Sequence, residues 1–248
     1  MAQEAARISP SKTLANVSED YWDVTMRLNP LNATYYGYPR YHDRLDDNSA
    51  AGRAEEKKEL QAILSRLKTI DRSMVSESDA ISWDVLELLV NQRLEEIQLK
   101  LWQWDINFFL GPEVMIPWTI EMAQPMKTEE DAQAVIKRLE AMPRYFANQA
   151  QNLKEGLSEG RITVRSPLQR TIQQLEDMVK IPPERTAYAV AANRLPEPIR
   201  KEYLPKVLHA VETSVYPAFK QYGQFLKSRY LPNARPDETP GIWKLPQG

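Results

Sequence analysis

Apolar residues recur at spacings of three and four along most of the chain, and this period predicts an all-α protein. Leu60, Ile63, Leu64, Leu67 and Ile70 put one stripe on a helix that Ser49 can cap and that ends near Asp71, leaving a Lys/Glu face to water. Ser76 and Asp79 open the next segment. There Leu86, Val90, Leu94, Ile97, Leu101 and Trp104 step by four and three, and Ile81, Val85, Leu88 and Leu89 widen the stripe. Read as one helix over residues 77–105, this segment is about 40 Å long and is expected to be the central spine.

The remaining segments are shorter. Asn16 and Glu19, at capping-box spacing, predict a helix through Tyr21, Trp22, Val24, Thr25 and Leu28 that Asn29-Pro30 closes. Residues 31–48, rich in Tyr, Asp and Asn without a clear period, read as an ordered loop pinned by its aromatics. Gly111-Pro112 breaks the pattern, and Pro117 interrupts a candidate helix over 114–123. Thr128 and three following acids start a helix on Ala132, Val135, Ile136 and Leu139. Pro143 is expected to start another on Phe146, Ala150, Leu153 and Leu157, ended by Gly160, giving an antiparallel pair.

Ser166-Pro167 reads as a cap with proline at the first helical position, before Leu168, Ile172, Leu175 and Val179. A short Ala-rich helix is expected over 186–193. A long helical stretch then carries Ile199, Tyr203, Val207, Val211, Val215, Phe219, Tyr222 and Leu226, which Pro205 and Pro217 should kink or divide. Four prolines make 231–248 an extended tail. The expected organisation is a flexible 1–15, one helical domain over 16–230 arranged as an irregular array, and that tail. Segment lengths differ too much for a repeat solenoid.

Composition narrows the function. With 42% hydrophobic and 27% charged residues the chain is ordinary globular material, and 32 basic against 34 acidic residues advertise no nucleic-acid partner. Absence of cysteine excludes disulfides, thiolate metal sites and Cys nucleophiles. No apolar run is long enough to span a membrane, and no signal peptide is legible as written.

Few motifs suggest chemistry. Asp43, Asp46 and Asp47 resemble, in reverse order, the aspartate-rich magnesium motif of isoprenoid synthases, which would make the chain a diphosphate-handling enzyme. Aspartates just before a helix equally serve turns and caps. His42 and His209 lie far apart, and His209 with Glu212 lacks the second histidine of a helical zinc signature, so a hydrogen-bonded pair is the simpler reading. Tyr35, Tyr36, Tyr38 and Tyr41 with Arg40 and Arg44 could line a peptide groove, phenols and guanidiniums suiting carbonyls and a terminal carboxylate. They could also pack the loop on itself. Trp102, Trp104, Phe108, Phe109 and Trp118 read as core.

The order of landmarks says more. Tyr21-Trp22, Asn29-Pro30-Leu31-Asn32-Ala33-Thr34, Gly37, Arg40-Tyr41 and Leu45-Asp46-Asp47 are followed by Gly111-Pro112, Arg138-Leu139, Pro143 and Tyr145. Gly156 and Gly160, Tyr230-Leu231-Pro232, Ala234-Arg235, Gly241 and Leu245-Pro246 complete the series. This series resembles the amino-terminal part of the bacterial proteins catalogued as domain of unknown function 885.

The resemblance implies a helical, zinc-peptidase-like architecture, often in exported or lipid-anchored bacterial proteins, which would place this one in the periplasm with any leader removed. It also implies a His-Glu zinc motif in a carboxy-terminal portion. No position here matches it, so the chain reads as a truncated, non-catalytic amino-terminal half with no catalytic or metal residue and no cofactor of its own. On that reading Tyr38, Arg40 and Tyr41 are the substrate contacts, on one wall of a peptide cleft completed by the carboxy-terminal half. Exposed apolar helix faces and self-association would follow. The alternative is a stand-alone helical interaction module.

Overall fold

A computed structural model of the chain describes residues 9–246. It is all-α: among the described residues the one extended pairing is an isolated bridge between Val164 and Arg235. The chain divides into two compact units, one formed by the segment up to Leu28 with Ala50–Lys100, the other by Asn29–Ser49 with everything from Leu101 onward.

In the first unit, α1 (Pro10–Leu28) leads, and the chain leaves through α2 (Pro30–Tyr35) before returning as α3 (Ala50–Lys68) and α4 (Glu77–Gln98). Each of α1, α3 and α4 packs on the other two. Leu14, Val17 and Met26 of α1, the predicted stripe of Leu60, Ile63 and Leu67 on α3, and Trp83, Leu86 and Val90 of α4 are all buried. The Trp83 indole donates to the Leu67 carbonyl at 3.2 Å, which satisfies the polar edge of a buried ring. Arg27 bridges Glu55 and Glu59, and Arg93 holds Glu56, fastening helices at the surface.

Two boundaries differ from the pattern-based reading. α1 starts at Pro10 rather than after Asn16, because Ser9 accepts from the Lys12 amide and proline follows at the first helical position. α4 stops at Gln98, since Lys100 adopts φ 55° and turns the chain into a 3-10 turn at Leu101–Gln103. Leu101 and Trp104 therefore leave the helix, and α4 is not the spine. Ile81, Val85, Leu88 and Leu89 do not widen the buried stripe; they are exposed, Leu88 by 64%.

The second unit is organised by α6 (Glu129–Ser158), a single 30-residue helix where the sequence suggested two. It follows α5 (Pro112–Ala123), which also runs through its internal proline, Pro117. The predicted cap on α6 is present as a full capping box between Thr128 and Asp131. A proline inside a helix costs about 3 kcal/mol. Val135, Leu139, Met142, Phe146 and Leu153, all sealed from solvent, each return about 1.5 to 3 kcal/mol on burial, so packing overrides Pro143. Gly156 faces the 3-10 turn so closely that a Cβ there would lie 1.9 Å from the Gln103 carbonyl oxygen. Gly160, at φ 73°, is the left-handed terminator that the sequence predicts.

α7 (Arg165–Met178) begins one residue ahead of the expected cap, because Ser166 instead donates its amide to Asp237 while Arg165 and Arg235 pair through their backbones. α8 (Ala187–Ala192) is the Ala-rich helix, capped by Thr186. α9 (Glu197–Ala210) and α10 (Tyr216–Phe225) form one helical run joined by a π-helical turn at Val211–Val215. That turn directly precedes Pro217, whose missing N–H and bulky ring disturb the regular ladder there. α6 packs against α9 and α10, and α10 against α7, around Phe146, Phe219 and Tyr222. Beyond Leu231 the chain runs in short turns, secured by Arg235 donating to the carbonyls of Ile162 and Gly241.

Candidate functional site

The segment expected to be an ordered loop, 31–48, carries most of the six-residue α2 and a 3-10 turn at Pro39–Tyr41. Asn29-Pro30, read as a stop signal, also starts α2, with proline at its first position. What fixes the segment is Arg138 of α6, which has no solvent exposure. Its Nε donates to the Arg44 carbonyl at 2.8 Å. Nη1 reaches the Gln124 side chain, and Nη2 serves the Pro30 carbonyl at 2.8 Å, the Thr34 hydroxyl at 2.6 Å and the Tyr41 carbonyl at 3.2 Å.

One guanidinium thus gathers both ends of the segment, using donors that water would otherwise satisfy. Burial pulls its pKa down to about 10, with Asp46 and Asp43 opposing, so it stays charged at neutral pH. Further ties run from Gln124 to the His42 carbonyl, from Asn48 to the Tyr145 carbonyl, and from Asn152 to the Asn48 carbonyl. Reading the sequence missed this role. The available signal was an arginine among the buried stripe positions Val135, Leu139 and Met142.

On this support the predicted contact residues form a connected surface. The Arg40 guanidinium lies 5.8 Å from the Tyr38 ring centroid and that of Arg44 lies 5.5 Å from the Tyr41 ring. The two tyrosine rings are 6.1 Å apart at 33°. Arg40 and Arg44 are exposed, while Tyr38 and Tyr41 are half-buried. Tyr35 and Tyr36 meet edge to face at 5.6 Å, and Tyr35 also meets Trp118 of α5 at 5.7 Å. Trp118 and Phe109 are exposed, Phe109 by 72%, and Trp102, Trp104 and Phe108 are only half-buried, so the expected aromatic core is not one.

The three aspartates take local partners. Asp43 pairs with Lys137 at 3.3 Å and Arg44 at 3.6 Å, Asp46 accepts from the Leu31 amide at 3.4 Å, and Asp47 accepts from the Ser49 amide at 3.1 Å and pairs with Arg144. The zinc implied by the resemblance does not fit the residues present. Among the described residues no three His, Cys, Asp or Glu side chains gather as a metal site. His42 is half-buried, and burial with the nearby Arg138 charge lowers its pKa while Asp131 and Asp43 oppose; among the described residues it joins no group of three such side chains. His209 and Glu212 are both exposed, on α9 and the following π turn.

A buried carboxyl that the sequence did not single out is Glu113, in the first turn of α5 and 1% exposed. Burial pushes its pKa up to about 7, the charge of Asp105 adding to the rise while its own backbone amide and Thr171 oppose it. Its Oε1 makes no hydrogen bond.

The model of the family described as bacterial protein of unknown function, DUF885, matches residues 30–248. The chain belongs to the DUF885 family. No curated protein sequence matches it. Among solved structures it is similar to that described as "the putative lipoprotein from Colwellia psychrerythraea", at a TM-score of 0.80 and 18% identity, a likeness that establishes the fold. The match covers 97% of this chain and 44% of the other, so the chain spans less than half the length of that protein. The landmarks on which the DUF885 likeness was read now have physical duties: Arg138 fixes the 29–48 segment, Gly156 admits the Gln103 backbone, and Arg235 anchors the final segment.

Proposed function

We propose that this chain is the non-catalytic helical portion of a DUF885 zinc-peptidase-like hydrolase and supplies one wall of a peptide cleft. The observation that supports this is the Tyr38, Arg40, Tyr41 and Arg44 surface held by the buried Arg138. A pre-positioned surface loses little side-chain entropy on binding, and guanidiniums beside phenol rings suit a peptide carboxylate and its carbonyls. Zinc and its activated water belong, on this reading, to the carboxy-terminal half.

The test mixes residues 1–248 with the carboxy-terminal portion of a DUF885 protein that carries a His-Glu motif. Zinc-dependent hydrolysis of a peptide library is expected only from the mixture, with KM raised about tenfold by Arg40→Ala or Tyr41→Ala. Chelator-sensitive hydrolysis by 1–248 alone, or variants with unchanged KM, would refute it.

A second reading, a stand-alone interaction module, draws on the first unit. Ile81, Val85 and Leu88 fall on one line of α4, with Leu89 beside them, and all four are exposed. A stripe of this kind suits self-association or a partner helix.

A further inference from the structure

α7 and α10 pack side by side in the second unit, yet a hollow of about 200 Å³ stays open to solvent between them. Its floor is apolar: Leu175 and Phe219 are buried there, and Val179 is half-buried. Its rim is polar, formed by Glu176 of α7, by Lys220 and Gln224 of α10, and by Lys227 just beyond it.

Gly223 opens the hollow. It lies inside α10 without a left-handed backbone, and a Cβ added there would meet Leu175 Cβ at 3.6 Å and Cδ1 at 3.7 Å, ordinary contact distances. Gly156 is different, since a Cβ there would collide with backbone. Neither conformation nor close approach calls for glycine at 223, where alanine is the better helix former. What the missing side chain supplies is room above Leu175.

The rim carries an excess of positive charge. Lys220 and Lys227 stand three and four residues from Gly223, so both project from the face of α10 that borders the hollow. Lys227 pairs with Glu176 of α7 at 2.7 Å. Lys220 is exposed and makes no ion pair among the described residues. Two cations thus face one carboxylate beside an apolar floor.

We propose that this hollow binds a small carboxylate with an apolar body of ring size, an aryl or branched aliphatic acid, with its body on Leu175, Val179 and Phe219 and its charge at Lys220. Size supports the class: a closed apolar cavity of about 150 Å³ takes up benzene. A hollow of about 200 Å³ accepts such a ring and lets a carboxylate reach the open side. Charge supports it as well. A neutral hydrocarbon would leave Lys220 without a counter-ion, and an inorganic anion would leave the apolar floor in water.

Titration of phenylacetate into the methyl-labelled 1–248 chain, followed by NMR, tests this. Saturable shifts are expected on the Leu175 and Val179 methyl groups, at a dissociation constant of about a millimolar for so small a ligand. Phenylacetamide, which lacks the charge, and acetate, which lacks the ring, should each bind at least about fivefold more weakly. Lys220→Gln should weaken phenylacetate about two- to fivefold, the range of an exposed ion pair. Gly223→Ala should weaken binding without lowering Tm, and Gly223→Leu should abolish it. Lys220→Gln, changed outside the core, serves if the leucine variant does not fold. Shifts that do not saturate, equal binding of phenylacetamide, or unchanged affinity in Lys220→Gln or Gly223→Ala would overturn the proposal. So would shifts at these methyl groups that follow protein concentration without ligand, which would assign the hollow to contact between two copies of the chain.

Discussion

Arg138 Nη2 donates to the Thr34 hydroxyl at 2.6 Å across 104 residues of sequence, in a site closed to solvent. The same nitrogen serves the Pro30 and Tyr41 carbonyls, so the 29–48 segment is shaped around a single buried cation rather than by its own aromatics. Removing that cation leaves several buried acceptors without donors. Arg138→Met is expected to destabilise the second unit by about 3 to 5 kcal/mol and to raise hydrogen exchange throughout 30–46. Arg138→Lys, with three donors at one point in place of a planar fork, should recover only part of the loss. Urea unfolding with exchange on the same samples checks both.

Glu113 gives the chain a stability term of definite sign. Its folded pKa, about 7, lies above the ordinary 4.5, so the folded state holds the proton more tightly. This contribution is fully present below about pH 4.5 and is lost as pH rises to about 7, by about 3 kcal/mol in all. The difference between wild type and Glu113→Gln in urea melts at pH 5, 6, 7 and 8 should therefore shift steadily in favour of the variant and then level off. Subtraction removes the opposite slope of ordinary surface carboxylates.

Gly156 is required by proximity, not by backbone conformation. A methyl group 1.9 Å from the Gln103 carbonyl forces α6 and the 3-10 turn apart. Gly156→Ala should cost at least about 1 to 3 kcal/mol and lower Tm, although alanine is the better helix former. A variant with unchanged Tm would show that the turn can yield.

The stripe on α4 predicts concentration-dependent behaviour. If Ile81, Val85, Leu88 and Leu89 mediate self-association, sedimentation at tens of micromolar should show species larger than the monomer. Val85→Glu combined with Leu88→Glu should return the chain to monomer without lowering its stability, since these side chains lie outside the core. A wild type that stays monomeric throughout would remove this reading.

Much of the helical framework was legible from spacing. The stripes on α3 and α6 are buried where the periodicity puts them, and Thr128, Thr186 and Gly160 act at the ends they mark. Proline was the main source of error. Taken as local punctuation, Pro143 divides α6, yet the burial of Phe146, Met142 and their neighbours outweighs its cost. On α4 the stripe through Leu86, Val90 and Ile97 is buried, but its widening by Ile81, Val85, Leu88 and Leu89 failed for a related reason: spacing shows that Ile81 and Val85 share a face, and says nothing of whether anything covers it.

Membership of DUF885 and the grouping of Tyr38, Arg40 and Tyr41 were likewise legible, because motifs and near neighbours are properties of the chain itself. The duties of Arg138 and Glu113 were not. Whether an arginine or a glutamate is solvated or sealed depends on partners more than a hundred residues away, or on helices meeting from several directions, as Pro30 does for Arg138 and Tyr222 for Glu113. The linear sequence determined which segments are helical through the free energy of local hydrogen bonding and one-sided burial. Only the tertiary structure decided which polar groups lost their water, and so which side chains carry charge into the interior.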